Sequence, residues 1–189
     1  MQPIDSGMGM CYPPEKQRGR GRPMPIRDDR PARPIRLRLA EVAQAQGITT
    51  VPDLARKMGG FRQSLYEPWA GKSQWMKLSM YQKLLLTLSP DPTHPLDPGD
   101  WFTWRPGANS DGPTLHWQVS SQAEARDISR TDLHYASRLH QSTIGPMWDD
   151  TGQAFYFDTL ARVATALDVP GHPFRLGALL VWDVGVTQS

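Results

Sequence analysis

Between Thr50 and Leu88 the apolar residues fall at spacings that only short helices bury well. Leu54, Ala55 and Met58 lie one turn apart, Leu65 and Trp69 follow four apart, and Tyr81, Leu84, Leu85 and Leu88 complete an i, i+3, i+4, i+7 stripe. Thr50 suits an N-cap, and Pro52 and Asp53 suit a first turn. Gly59-Gly60 stands where the chain must turn sharply between the first two segments. The pattern therefore predicts a helix over Thr50–Met58, a glycine corner, a helix from Arg62 to Glu67 or Trp69, and a further helix from about Leu78. Pro68 lacks an N–H and should end or kink its helix, and Ser89-Pro90-Asp91-Pro92 should end the last one. In front of this unit, Leu39, Val42, Ala43 and Gln46 share a face, which predicts a helix over Ile35–Gln46 closed by Gly47.

With Leu65 and Trp69 turned inward, Arg62, Gln63, Ser64 and Tyr66 project outward. The charge distribution points to an acidic partner for this part of the chain. Residues 1–77 carry 14 Lys/Arg and 7 Asp/Glu, or +7, whereas residues 78–189 carry 7 and 12, or −5. Positive charge attracts phosphates and releases their counterions. The single cysteine, Cys11, excludes an internal disulfide and argues against a cysteine-based metal site. No apolar run approaches membrane-spanning length and the polar start is not a signal peptide, so a cytoplasmic protein with no membrane partner is expected.

Residues 1–34 are rich in proline, glycine and arginine and have no period, so a disordered basic arm is expected. Within it, Arg20-Gly21-Arg22-Pro23, preceded by Arg18-Gly19, resembles the core of an AT-hook. Glycine allows a close backbone approach, and Arg20 and Arg22 would enter a narrow A·T-rich minor groove. The plainer reading is a solvated basic tail. Initiation at Met24 instead of Met1 would delete the motif.

A helix, a glycine corner and a second helix form the pattern of a helix-turn-helix, in which one helix braces another that enters a DNA groove. Leu54-Ala55-Arg56-Lys57-Met58-Gly59, then Leu65, then Gly71 and a late amphipathic helix resemble the lambda-repressor-like (Cro-type, Xre) helix-turn-helix family over residues 35–90. The resemblance implies a bundle of four or five helices whose third reads the major groove. Carried over by position, Arg62, Gln63, Ser64 and Tyr66 face bases, while Lys57, Lys72 and Ser73 approach phosphates. Gly60, where the family has an apolar residue, and Pro68 depart from its pattern.

Residues 101–119 change character. Trp101–Arg105 and Thr114–Val119, rich in aromatic and β-branched residues, flank a loop of turn-formers, which predicts a β-hairpin. It reads either as a wing touching the DNA backbone or as a strand pair joining two helical units, and the absence of a basic residue in 106–113 favours the second. A shift of 79 then lays a diverged second copy on the first: Leu54 on Leu133, Leu65 on Ile144, Trp69 on Trp148, and the late stripe on Leu160, Val163, Ala164 and Leu167. Its base-facing candidates are Gln141, Ser142 and Thr143. Its third helix holds no Lys or Arg, is followed by Asp149-Asp150, and should be broken early by Gly145-Pro146, so weak DNA binding or a scaffold or dimerisation role is expected. A final strand at Ala178–Val184 is expected to join the hairpin in one small sheet.

His94, His116, His134, His140 and His172 have no spacing that makes a zinc site, and no phosphate loop, nucleophile elbow or Cys/His pair is visible. The expected fold is mainly α, with tandem helix-turn-helix bundles and a small antiparallel β-hairpin or sheet. The expected division is an arm (1–34), a first domain (35–100), the hairpin connection (101–119) and a second domain with a C-terminal strand (120–189). The expected function is a sequence-specific double-stranded DNA-binding protein and transcriptional regulator, without enzymatic activity, cofactor or metal, acting with pairing of half-sites within the chain or as a homodimer through the second copy or the sheet. The alternative is a protein-interaction adaptor on the same scaffold without base readout.

Overall fold

The computed structural model describes residues 34–60, 62–91, 95–106 and 113–182. Among them are eight helices and three separate two-stranded antiparallel sheets. In chain order these are β1 (Ile35–Leu37), α1 (Leu39–Ala45), α2 (Val51–Lys57), α3 (Arg62–Trp69), β2 (Trp75–Lys77), α4 (Leu78–Thr87), β3 (Phe102–Pro106), β4 (Pro113–Trp117), α5 (Val119–Glu124), α6 (Arg130–Ser137), α7 (Gln141–Trp148), β5 (Ala154–Tyr156), α8 (Phe157–Leu167) and β6 (Leu180–Trp182). The N-terminal arm, with Arg20 and Arg22, lies outside the described residues.

The element order runs twice: strand, three helices, strand, helix, strand. α2, α3, β2 and α4 begin at 51, 62, 75 and 78, and α6, α7, β5 and α8 begin at 130, 141, 154 and 157, each 79 later. Local devices recur at the same places. Thr50 accepts the Asp53 N–H at the start of α2, and Ser129 accepts the Asp132 N–H at the start of α6, where Asp132 also reaches back to close a capping box. Left-handed residues close the first three helices of each half: Gly47, Gly59 and Gly71 at φ 74, 73 and 66°, against Asp127, Arg138 and Asp150 at 56, 57 and 56°.

The halves are interlocked by strands. β2 and β5 pair in the register Trp75↔Tyr156, Met76↔Phe155, Lys77↔Ala154, so the equivalent residues Met76 and Phe155 face each other and an approximate twofold axis passes between them. Flanking bonds obey that axis: Leu78 N–H donates to the Gln153 carbonyl at 2.8 Å and Phe157 N–H to the Gln74 carbonyl at 2.9 Å. The last strand of each half is given to the other. β6 pairs with β1 as Ile35↔Trp182, Arg36↔Val181 and Leu37↔Leu180, and β3 pairs with β4 as Leu115↔Trp104, His116↔Thr103 and Trp117↔Phe102. A third symmetric pair lies between the loops ahead of these strands, where Asp100 N–H donates to the Arg175 carbonyl at 2.9 Å and Ala178 N–H to the Asp97 carbonyl at 2.8 Å.

Three sequence expectations are corrected. Ile35–Leu37 is a strand, because its buried-exposed-buried alternation lays Ile35 and Leu37 on the core as β1; the helix begins only at Leu39. The final strand does not join the hairpin in one sheet but pairs with β1. The strands β2 and β5, absent from the sequence reading, are each three residues long, too short for alternation to stand out. α7 is not broken by Gly145-Pro146 and runs eight residues, as α3 does past Pro68. Both prolines sit in the last turns, where the missing N–H costs one bond and the chain is about to leave the helix.

One apolar core runs through both halves. Phe155 is its hub, with Tyr81, Phe102, Trp117 and Phe157 rings at 5.5, 5.8, 6.1 and 5.7 Å. Burial pushes the Tyr81 phenol well above its usual range, with nearby Asp97 adding to the shift, so it stays neutral in the core. At the loop crossing, Asp100 accepts from the Arg175 backbone N–H at 3.0 Å and from its Nε at 3.1 Å, and Arg126 approaches the same carboxylate at 3.7 Å. The Arg126 side chain is only 6% exposed. Asp100→Ala would leave that guanidinium buried without its counter-charge and is expected to destabilise the protein by about 3–5 kcal/mol in denaturant unfolding. Beside it, Gly99 and Gly177 meet back to back at φ 77° and 86°, and a Cβ on either would lie 2.5 Å from the other's nitrogen. Gly99→Ala and Gly177→Ala should therefore both cost more than the roughly 1–3 kcal/mol of an ordinary strained backbone position, read in the same unfolding experiment.

Candidate nucleic-acid interface

The α2–α3 unit presents a helix face without covering it. Leu54, Ala55 and Met58 of the first segment and Leu65 and Pro68 of the second are buried, which fixes the angle between the helices. Gly59 and Gly60, at φ 73° and 127°, turn the chain between them with open space around the position of a Cβ. The Thr50 hydroxyl hydrogen-bonds the Asp53 carboxyl, holding it below its ordinary value, and Arg56 adds to the effect.

Arg62, Gln63, Ser64 and Tyr66 are all exposed on the outer side of α3. Arg62 Nε donates to the Tyr66 hydroxyl at 3.0 Å, and the guanidinium carbon lies 6.0 Å from that ring's centroid. This tether limits the rotamers of Arg62 and leaves its Nη groups for a further acceptor. Lys57 is exposed at the end of α2, and Lys72 and half-buried Ser73 follow Gly71 after α3. These positions flank α3 along the chain. Chemically, the face offers a planar guanidinium, an amide, two hydroxyls and flanking ammonium groups, a donor-rich set suited to base edges and phosphates.

A groove of about 640 Å³ continues this face toward the strand ribbon, lined among others by Ser64, Glu67, Trp75, Lys77, Ser79 and Lys83. Trp75 and Tyr156, 50% and 60% exposed, stand side by side on the outer surface of β2 and β5. The sequence reading missed Trp75, Lys77 and Tyr156 as surface residues near the axis. The signal it held was the single buried residue, Met76 or Phe155, between two outward neighbours.

The corresponding face of α7 differs. Gln141, Ser142 and Thr143 are exposed in its first turn, and His140 caps it by accepting the Ser142 N–H at 3.2 Å, with the Ser142 hydroxyl 2.7 Å from the same ring nitrogen. Position 145, equivalent to Tyr66, is Gly145; Arg130 passes 2.8 Å from where its Cβ would be and pairs with Asp149 at 3.2 Å. Asp150 accepts from the Trp117 N–H at 2.7 Å and contacts His116 Nδ1 at 2.6 Å, tying the hairpin to the end of α7. Asp149 and Asp150 are thus partnered acids, not the bare negative charge that the sequence suggested.

Thr114, His116 and Asp150 have the connectivity of an acid–imidazole–hydroxyl relay, with Thr114 Oγ1 at 3.0 Å from His116 Nε2. The Thr114 hydroxyl, however, donates to the Arg105 carbonyl at 3.3 Å, so the set reads as an anchor of the hairpin and not as a nucleophile. His134 contacts the Leu139 carbonyl, His172 is exposed, and His94 lies outside the described residues. Among the described residues no group of three His, Cys, Asp or Glu side chains comes together to hold a metal, and no helix is long and apolar enough to cross a membrane. None of the family models, curated proteins or solved structures compared with this chain matches it.

Because Arg62, Gln63 and Ser64 are exposed and outside the core, Arg62→Ala should change folding stability by less than about 0.5 kcal/mol. The caps are different: Thr50→Ala and Ser129→Ala are each expected to cost about 1 kcal/mol. Thermal or denaturant unfolding of the three variants separates a surface free to meet a partner from one used for folding.

Proposed function

We propose that this protein is a sequence-specific double-stranded DNA-binding protein that acts in transcriptional regulation, with α2 and α3 as a helix-turn-helix and α3 in the major groove. The observation that carries the reading is the exposed row Arg62, Gln63, Ser64 and Tyr66 on a helix anchored from its other side by buried Leu65 and Pro68 and half-buried Trp69. A reader of base edges needs such a row on a rigid element, since a loose one must be ordered at each encounter, at a cost in affinity. Lys57, Lys72, Lys77 and Ser73 flank it and would position the helix through phosphates. In this reading Arg62 takes guanine O6 and N7 with its Nη groups, Gln63 takes an adenine, and Ser64 accepts or donates as the neighbouring base requires. The basic arm would add minor-groove or backbone contacts through Arg20 and Arg22.

The adaptor reading is favoured by one observation, the adjacent exposed rings of Trp75 and Tyr156, which are of the kind enriched at protein interfaces. Salt separates the two. A duplex binder loses affinity linearly on a log–log plot of affinity against salt, with a slope of about −0.9 per phosphate neutralised.

Selection of sites from random duplex DNA should enrich a defined sequence. On that site Arg62→Ala is expected to cost about 1–3 kcal/mol and to relax preference at one base pair. An equal loss on every duplex would instead make Arg62 a phosphate contact, and no enrichment with a flat salt response would reject base readout. Removing residues 1–33 should make the salt slope shallower by about 0.9 for each phosphate that the arm neutralises, measured by titration at several salt concentrations.

A further inference from the structure

We propose that one chain is by itself the counterpart of a twofold dimer, and that it binds, as a single copy, a duplex site made of two unlike half-sites, α3 on one and α7 on the other. The proposal rests on the duplex-binding reading above.

Two-fold oligomers form when a surface patch meets its own copy, so that residue i contacts j and j contacts i. Here that relation holds inside one chain at three places. Gln74 and Leu78 exchange bonds with their equivalents Gln153 and Phe157, Asp97 and Asp100 with Arg175 and Ala178, and Gly99 meets Gly177. The swapped strands β3 and β6 complete the exchange, since β6 is the partner of β1 and β3 the partner of β4. The edges by which two copies of one half would pair are therefore filled by the chain's other half.

A twofold rotation preserves height along its axis. The outer surface of the β2–β5 ribbon lies on that axis, and the groove joining Ser64 and Glu67 to Trp75 and Lys77 opens α3 to the same side. α7, the equivalent of α3, then opens to that side as well. Two helices presented together across a twofold are the arrangement that meets successive major grooves about one helical turn apart, with the ribbon over the minor groove between them.

The two faces carry different chemistry. Position by position, Arg62, Gln63, Ser64 and Tyr66 meet Gln141, Ser142, Thr143 and Gly145. The flanking Lys57, Lys72 and Lys77 meet Ala136, Thr151 and Tyr156, so the second face has few phosphate partners of its own. A homodimer reads the same sequence twice. This chain would read two sequences, the α3 half-site supplying most of the electrostatic affinity and the α7 half-site a neutral, amide-and-hydroxyl readout.

The test is selection of sites from a random duplex library with the full chain, followed by sedimentation equilibrium of the chain on the enriched duplex. The expected result is two different sub-motifs at a fixed spacing of about one helical turn, bound at one chain per duplex. Scrambling either sub-motif should weaken binding by about tenfold or more. Arg62→Ala should relax only the first sub-motif, and the double variant Gln141→Ala, Thr143→Ala only the second; unchanged unfolding midpoints show that the variants fold. A palindromic site holding two chains overturns the proposal while leaving duplex recognition intact. So does a single sub-motif indifferent to the α7 double variant. No enriched site at all overturns the proposal together with the reading beneath it.

Discussion

The antiparallel pairing of β2 with β5 is the contact on which the rest of the architecture turns. It brings Met76 and Phe155 face to face, and from that one register the positions of both helical units follow. Each unit alone would expose several strand edges, and unpaired backbone groups at a buried edge are costly. The chain removes that cost by exchange: β6 covers β1, and β3 covers β4. Half-chains are consequently incomplete. A fragment ending before β4 would keep α1 to α4 and the strands β1, β2 and β3, but every one of its strands would be without its partner. Phe155 adds to this dependence, because it belongs to the second half yet packs against Tyr81 of the first at 5.5 Å.

The same backbone plan is realised with different residues in the two halves, and the differences are local in cause. The three helix ends of the first half use Gly47, Gly59 and Gly71, which enter the left-handed region without a Cβ penalty. The second half uses Asp127, Arg138 and Asp150 at the same places. A non-glycine residue there costs roughly 1 kcal/mol or more, though aspartate is among the residues that tolerate it. Compensation is visible beside both aspartates: Asp150 is anchored by Trp117 and His116, and α6, which follows Asp127, begins with a complete capping box. The crossing is also unequal in its side chains. Asp100 takes both Arg126 and Arg175, whereas its equivalent, Ala178, has no polar side chain to contribute and offers only a carbonyl to Arg38 at 2.7 Å.

Much of the helical plan was legible because its signals are local. The cap at Thr50, the glycines after α1 and α2, and the 3.6-residue stripes of α4 and α8 lie within a few residues of what they specify. The shift of 79 between halves was legible for the same reason, since equal spacing of apolar residues survives the loss of identity. The outward set on α3 followed once Leu65 and Trp69 were turned inward. The strands β1, β2 and β5 were not legible. A three-residue strand carries one alternation, and Ile35-Arg36-Leu37 runs directly into a helical stripe that begins at Leu39. Nor does any local signal tell β6 to leave the hairpin and pair with β1, at the far end of the chain. The groove beside Trp75 and Lys77 was hidden with the strand that forms it.

A surface that reads nucleic acid must satisfy two demands that oppose each other: long polar side chains must stay exposed, and they must not be free to wander. The α3 face meets both by tying Arg62 to Tyr66, a contact that restricts the guanidinium while leaving its outer nitrogens open to a partner. The α7 face has no such tie, because Gly145 stands where the tyrosine would be and Arg130 passes close to it on its way to Asp149. Arginine is thus present at the second face but faces a carboxylate of its own chain, and its charge serves to hold α6 to α7. Removing that carboxylate would leave the Arg130 guanidinium beside Gly145 without its counter-charge. The imbalance between the two faces therefore has two sources: Ala136, Thr151 and Tyr156 stand where the first half has Lys57, Lys72 and Lys77, and the arginine that does lie close to the second face, Arg130, is already paired with Asp149.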